Sequence, residues 1–177
     1  MSRSAHPWRP FCTPPEAPSP AAPGYSPDFA GKSGLRCRLA LELFIERLTW
    51  TDVEAALGRG MRRAIVCAAS TEQHGPHLPE ATDALLGEAY AEGLARRLGD
   101  ALVAPIVRPA CSEHHMAFPG SLTISETLLM DLLDAYLASL RRHGFERFVV
   151  MSSHGGNFPV LVEWERARSP LREDRMR

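Results

Sequence analysis

Ala64-Ile65-Val66-Cys67-Ala68 is a short, continuous apolar stretch, and a polar loop that begins near Ser70 follows it directly. A continuous apolar run of this length is typical of a strand that other elements cover on both faces, as in a parallel sheet. The loop is dense in histidine, carboxylate and proline residues up to Asp83. This strand and its loop decide the fold class, because neighbouring parallel strands must be joined by long crossovers that are usually helical.

Strands and helices alternate along the rest of the chain. The sequence predicts helices over Leu85–Leu98, Glu126–His143 and Phe158–Arg168, and strands over 101–107 and 147–151. Leucines that recur with a helical period, between a capping Ser125 and a closing Gly144, mark the longest helix. Pro105 interrupts the second strand, which is typical of an edge or a bulge. The alternation predicts an α/β domain with a parallel sheet and right-handed crossovers.

Residues 1–35 differ in character from the rest of the chain. Eight of the 15 prolines lie before residue 28, which excludes a helix or a central strand there. We expect a proline-rich, disordered extension over 1–35 and one globular domain over 36–177. A short amphipathic helix is predicted between Arg36 and Leu48, and a second one, capped by Thr49, over Thr51–Leu57.

The composition is that of one globular domain. The chain has 177 residues, of which 45% are hydrophobic, and it carries 20 basic against 21 acidic side chains. This balance speaks against nucleic-acid and membrane-surface partners, which normally require a basic excess. The sequence contains no apolar run of the roughly 20 residues that span a bilayer and no signal peptide, so we expect a cytoplasmic protein. The four cysteines form no C-x-x-C pair, and we expect reduced thiols.

The three predicted strands are each followed by a loop rich in polar side chains. Five of the seven histidines fall in these loops, namely His74, His77, His114, His115 and His154. Because ligands bind outside the carboxyl ends of the strands in an open α/β sheet, the loops should form one site. Glu72, His74, Asp83 and His154 supply two carboxylates and two imidazoles, a ligand set for Zn²⁺ or Mn²⁺. Since a carboxylate can bridge, the set could hold two ions.

The loop sequences resemble the motifs of the creatininase (creatinine amidohydrolase) family. Thr71-Glu72-Gln73-His74-Gly75-Pro76-His77-Leu78-Pro79, followed by Thr82-Asp83, is similar to the most specific signature of that family. Later motifs match in order, namely Ser112-Glu113-His114, Phe118-Pro119-Gly120 and His154-Gly155-Gly156-Asn157. Leu48-Thr49-Trp50 is similar to the opening of the family domain, and the resemblance covers about Glu46 to Glu165.

This resemblance implies a three-layer α/β/α sandwich with a mainly parallel sheet, often assembled as a homo-oligomer, a hexamer. It also implies a dinuclear metal centre that hydrolyses carbon–nitrogen bonds in small-molecule amides, cyclic or linear. The ions would be Zn²⁺ and/or Mn²⁺, with Fe²⁺ as a further candidate. Carried over by position, Glu72 and His74 would bind one metal each, Asp83 would bridge the two, and His154 would complete one of them.

The sequence departs from the family pattern at Gly156. In creatininase itself a metal-binding glutamate stands at this place, and many relatives with the Gly-Gly form carry a later His-Ala-Gly motif that is followed by a glutamate. The sequence ends at Arg177 without such a motif, so we expect the domain to be incomplete at its C-terminal end. The alternative function is therefore a catalytically silent, truncated relative that acts as a binding or assembly module. A third reading is a phosphate-binding turn at Gly155-Gly156.

The catalytic residue is not fixed by the sequence. Glu113, His114 and His115 are candidates to line the pocket or to shuttle protons, because an imidazole titrates near neutral pH. The alternative for these three residues is that they are hydrogen-bonded loop residues. His77, between two prolines, is expected to have a supporting role and not to bind metal.

Overall fold

A computed structural model of the protein describes residues 42–168. Its centre is a sheet of three parallel strands, β1 (Arg63–Ala68), β2 (Ala101–Val103) and β3 (Arg147–Ser152), in the order β2-β1-β3. Ile65 on β1 pairs with Val103 on one side and with Val149 on the other. Residues 64–68 of this central strand are all completely buried. The prediction of a parallel sheet around this apolar stretch is confirmed.

Helices cover both faces of the sheet. They are α1 (Trp50–Gly58), α2 (Thr82–Leu98), α3 (Glu126–Arg142) and α4 (Phe158–Arg168). Successive side chains of a strand point to opposite faces. Ile65 accordingly packs in one apolar cluster with Ala91 of α2, and Val66 packs in another with Leu129 of α3 and Val160 of α4. The predicted three-layer α/β/α arrangement is therefore confirmed for the described residues.

The helix predicted over Arg36–Leu48 is wrong for the part that the structure describes, and residues 36–41 lie outside that part. Only a short 3₁₀ turn, Ile45–Arg47, forms here. Phe44 instead makes a parallel bridge with Val103, and the carbonyl of Leu43 accepts a hydrogen bond from the Val103 amide at 2.8 Å. Phe44 is 1% exposed, so burial of its ring at the sheet edge overrides the weak helical pattern.

Two element boundaries also differ from the predictions. β2 ends at Val103, and the chain rejoins the sheet after Pro105 through a bridge between Val107 and Ala68. Pro105 has no amide hydrogen to donate, which explains the interruption. α2 begins at Thr82, three residues before the predicted start, without a side-chain cap at Ala81. This earlier start places Asp83 in the first turn of the helix.

The remaining predicted helices are confirmed to within one or two residues. Thr49 caps α1 in a reciprocal pair with Asp52, and the Ser125 hydroxyl accepts a hydrogen bond from the Leu128 amide at the start of α3. The extension expected over 1–35 lies outside the described residues. Within residues 42–168, no helix combines the length and the apolar content that crossing a bilayer demands.

Candidate metal centre

A cluster of polar side chains lies beyond the carboxyl ends of β1 and β3. Glu72 follows β1, Asp83 lies in the first turn of α2, and His154 follows β3. These side chains are almost completely buried, with 5%, 5% and 3% of their surface exposed. His74 lies beside them and is about a quarter exposed, at 23% for its side chain. The structure thus brings together all four residues that the sequence suggested as metal ligands.

Asp83 is at the centre of this cluster because each of its oxygens faces a different histidine. Its Oδ1 lies 3.1 Å from His74 Nε2, and its Oδ2 lies 3.0 Å from His154 Nδ1. Glu72 Oε1 is also close to His154 Nδ1, at 3.2 Å. One aspartate therefore connects two groups of ligand atoms, as a bridging carboxylate does.

Backbone carbonyls fix the orientation of both imidazoles. His154 Nε2 lies 2.9 Å from the carbonyl oxygen of Cys111, and His74 Nδ1 lies 3.1 Å from the carbonyl oxygen of Glu72. A carbonyl only accepts, so these two nitrogens carry hydrogen. In the neutral rings, the other nitrogens, His74 Nε2 and His154 Nδ1, then direct their lone pairs at Asp83. Metal-binding histidines are commonly held in this way through their second nitrogen.

The donor atoms fit a site for divalent cations. Asp83 Oδ2 is buried and accepts no hydrogen bond, although His154 Nδ1 is nearby. Lone pairs that converge in a buried site need protons or metal ions between them, because an uncompensated buried charge is costly. Carboxylate oxygens and imidazole nitrogens are the ligands that Zn²⁺ and Mn²⁺ accept. Ligand atoms of Glu72, His74 and Asp83 all lie within 4.8 Å of one another, as do those of Glu72, His114 and His154.

His114 and His115 lie on the exposed side of the cluster. The His114 ring is stacked against His154, with ring centroids 5.8 Å apart, and is 4.2 Å from the His115 ring. His115 Nε2 is 3.6 Å from Glu72 Oε1. Of the residues suggested for catalysis, these two histidines therefore reach the candidate metal centre.

Glu113 and His77 lie at the surface. Glu113 is exposed and lines a cavity of about 390 Å³ that also contacts His114, Glu126 and Gly156. His77 is exposed and packs over Gly75. Glu113 thus borders the approach to His114, whereas His77 shapes the turn of the first loop.

Sequence reasoning missed a second set of buried polar residues that support the cluster. The hydroxyls of Ser70 and Ser112 hydrogen-bond to each other, and Ser70 Oγ donates to Glu72 Oε2 at 3.4 Å. Both serines are completely buried. The place of Ser70 just after a buried strand and two residues before Glu72 is the sequence signal that could have found it.

Asn157 joins the three loops. Its side-chain amide donates to the carbonyls of Ala68 and Ala69, and its Oδ1 accepts from the Cys111 amide at 3.2 Å. The side chain is completely buried. One amide therefore fixes the end of β1, the loop after β2 and the turn after β3 relative to one another.

Gly156 lies against the candidate metal centre and has no room for a side chain. A Cβ atom there would be 2.6 Å from the Cys111 carbonyl oxygen, and it would also collide with His154 Nε2. The glutamate expected at this place from the family resemblance cannot be accommodated in this arrangement. Within residues 42–168, His154 Nδ1 lies close to carboxylate oxygens of both Glu72 and Asp83, and His74 Nε2 lies close to Asp83.

Comparison with known proteins identifies the family. A family model described as creatinine amidohydrolase matches residues 46–173. The mycofactocin precursor peptide peptidase of Mycolicibacterium smegmatis is 39% identical over 103 residues, which cover 55% of this chain and 41% of that protein. The creatinine amidohydrolase of Pseudomonas putida is 29% identical over 130 residues, which cover 71% of this chain and 50% of that protein.

Solved structures agree with the sequence comparison. A crystal structure of creatininase superposes with a TM-score of 0.64 at 30% identity, covering 71% of this chain and 50% of that one. Two further creatininase structures are described as a Zn-Zn type and as a Mn form. The chain spans half or less of the length of these curated relatives and about half of the creatininase chain. The matched motifs and fold extend over most of the described residues, and the chain belongs to the creatininase family.

Proposed function

We propose that this chain is a metal-dependent hydrolase of carbon–nitrogen bonds in small-molecule amides. Its ions would be two divalent cations, Zn²⁺ or Mn²⁺, held by Glu72, His74, Asp83 and His154. The observation that carries the proposal is the position of Asp83, whose two buried oxygens each face a histidine nitrogen. The family and the metals in the descriptions of the creatininase structures support it.

Ions bound in such a site supply a nucleophilic hydroxide at neutral pH and polarise the carbonyl oxygen of an amide. Neighbouring residues of the chain orient the side chains that would bind the ions. The Cys111 carbonyl holds the His154 ring, the Ser70 hydroxyl holds one oxygen of Glu72, and burial keeps the dielectric around both groups low. His114, whose ring is stacked against His154, lines the cavity of about 390 Å³ together with Gly156, and this supports an approach of the substrate from that side.

Metal analysis of the purified protein tests the first step of this proposal. We expect stoichiometric Zn²⁺ or Mn²⁺ in the wild type and a loss of metal in Asp83→Ala, because both groups of ligands lose their shared member. Asp131→Ala is the matched control, since Asp131 is an exposed aspartate on α3. A metal-free wild type, or an Asp83→Ala variant with unchanged metal content, would refute the proposed centre.

A second function is a metal-binding but catalytically silent module. One observation favours it, namely that Gly156 leaves no space at this place for the side chain of a further ligand. Hydrolysis assays with creatinine and with short peptide amides, on protein reconstituted with Zn²⁺ or Mn²⁺, separate the two functions. Release of amine or carboxylate that Asp83→Ala abolishes would support the hydrolase and reject the silent module.

We also propose a homo-oligomer. Large apolar side chains near the site are about half exposed, namely Leu78 at 48%, Phe118 at 50% and Leu122 at 52%. Clustered exposed apolar side chains are a common sign of an interface. Analytical ultracentrifugation of the full chain measures the assembly directly, and a monomer at all concentrations would contradict this part of the proposal.

A further inference from the structure

Gln73, which lies between two of the candidate ligands, makes two side-chain hydrogen bonds. Its Oε1 accepts from the backbone amide of Gly75 at 2.9 Å, and its Nε2 lies 2.9 Å from His115 Nδ1. Its own backbone amide donates to the Ser121 hydroxyl at 3.1 Å. Both ends of the residue are therefore held in place.

These contacts determine which nitrogen of His115 carries hydrogen. A backbone amide only donates, so the atom of Gln73 that faces Gly75 is the oxygen, and the atom that faces His115 is the NH₂ group. An NH₂ group of glutamine only donates, so His115 Nδ1 must accept. A ring whose Nδ1 accepts is neutral and carries its hydrogen on Nε2.

The Nε2–H group of His115 faces the candidate metal centre. It lies 3.6 Å from Glu72 Oε1, which is too long for a direct hydrogen bond. The His115 side chain is 24% exposed, and the centroid of its ring lies 4.2 Å from that of His114 and 6.4 Å from that of Phe118. The Nε2–H group of His115 thus lies in a partly exposed part of the cluster and makes no direct hydrogen bond to Glu72.

We propose that Gln73 is a positioning residue that fixes His115 as the Nε2–H tautomer, so that His115 offers a hydrogen-bond donor to an acceptor oxygen of the substrate beside Glu72. The substrate part of this inference rests on the proposed function. A carbonyl oxygen is the acceptor that an amide would bring to this position. The tautomer itself follows from the contacts of Gln73 alone.

The experiment is NMR spectroscopy of the full chain labelled with ¹⁵N-histidine, at a pH of about 8, well above the ordinary imidazole pKa of about 6.5. His115→Asn identifies the His115 signals by their loss. In the wild type we expect His115 Nδ1 at the downfield position of an unprotonated ring nitrogen and Nε2 at the upfield position of a protonated one. A protonated Nδ1 in the wild type would overturn the inference.

Gln73→Glu is the decisive variant because it keeps the size of the side chain and replaces its NH₂ donor with a charged acceptor. A carboxylate still accepts from the Gly75 amide, but it also requires a donor from His115. We expect His115 Nδ1 to gain hydrogen and to shift upfield. A Nδ1 resonance that stays at the unprotonated position in a folded Gln73→Glu protein would overturn the inference.

Gln73→Met provides a second test that does not depend on a new charge. Methionine of similar length makes neither hydrogen bond and no longer holds His115 in one tautomer, so the Nδ1 resonance should move away from its wild-type position. An unchanged Nδ1 resonance would mean that Gln73 makes no hydrogen bond to His115 and would overturn the inference even if Gln73→Glu fails to fold.

These measurements need neither bound metal nor turnover. Absence of amide hydrolysis together with the expected shifts would reject the proposed function and leave the positioning role of Gln73 intact. Hydrolysis by the wild type together with an unprotonated Nδ1 in Gln73→Glu would support the proposed function and reject the positioning role of Gln73.

Discussion

Gly156 shows how a single residue shapes this site. A Cβ atom at this position would collide both with the Cys111 carbonyl oxygen and with His154 Nε2, two atoms that a hydrogen bond of 2.9 Å joins. Any side chain at this position would separate the two groups. The histidine would then lose the partner that directs its Nδ1 toward the carboxylates.

Gly156→Ala is therefore expected to destabilise the fold and to weaken metal binding. A Cβ atom 2.6 Å from a backbone oxygen forces a shift of the loop, and overpacking of this kind costs about 1–3 kcal/mol. Urea denaturation measures the change in the free energy of unfolding. Gly155→Ala is the matched control, because a Cβ atom on Gly155 meets no atom within 4 Å. Equal stability of the two variants would show that the loop adjusts without cost.

Helix α3 separates buried from exposed positions sharply. Leu129 and Leu133 are completely buried against β1, and Leu137 is 5% exposed. Leu128, next to Leu129, is 51% exposed. The helix is therefore held to the sheet by one stripe of side chains, as its periodic sequence predicted.

Leu129→Ala should cost about 2–5 kcal/mol in the free energy of unfolding, because it leaves a cavity in the core. Leu128→Ala has the same chemical change on an exposed position and should cost well under 1 kcal/mol, roughly the 0.5 kcal/mol of an ordinary surface substitution. Thermal or urea denaturation of both variants gives the comparison. Similar losses for the two leucines would contradict the placement of α3.

The contact between α3 and α4 makes one contribution to stability dependent on pH. Asp134 is hydrogen-bonded by Arg168 and by Trp164 Nε1, and these contacts outweigh burial and hold the pKa of the Asp134 carboxyl below its usual value, with Arg168 as the main cause. Because the pKa of this carboxyl is lower in the folded state, its ionised form stabilises the fold at pH values above the unfolded pKa of about 3.9. That stabilisation is lost as the pH falls through the folded value.

Asp134→Asn tests this dependence. We expect the wild type to have the higher Tm near neutral pH and the difference to disappear as the pH falls below about 4. The effect should be small, because the Asp134 and Arg168 side chains are 42% and 36% exposed. The measurement is the Tm of both proteins across this pH range. A Tm difference that grows as the pH falls would contradict the lowered pKa of Asp134.

The sheet and most of the helices could be predicted from the sequence, because burial of a strand on both faces and helical periodicity are visible in it. The start of α2 was not visible, since Ala81 provides no side-chain cap. The first predicted helix was wrong because the spacing of Leu43 and Ile45 does not distinguish a weak helix from a strand-like edge. These errors occur where local signals are weak and tertiary contacts decide.

The candidate site was predictable in part for a related reason. The parallel sheet brings the loops after its strands to one edge, so Glu72, Asp83 and His154 could be placed together from sequence order. The tautomers of His74, His115 and His154 depend on which carbonyl or amide lies within about 3 Å of each ring. Such distances between loops are properties of the packed molecule and leave no pattern along the chain.

The side chain of Asn157 has a consequence for how the molecule responds to ligands. It connects Ala68, Ala69 and Cys111, so the loops that carry the candidate ligands are fastened at a common point next to the sheet. Loosening of one loop would therefore break hydrogen bonds of Asn157 that hold it to the other two. Occupation of the site is then thermodynamically linked to the unfolding of the sheet, and a ligand present at 100 times its dissociation constant adds about 2.7 kcal/mol to the stability of the domain.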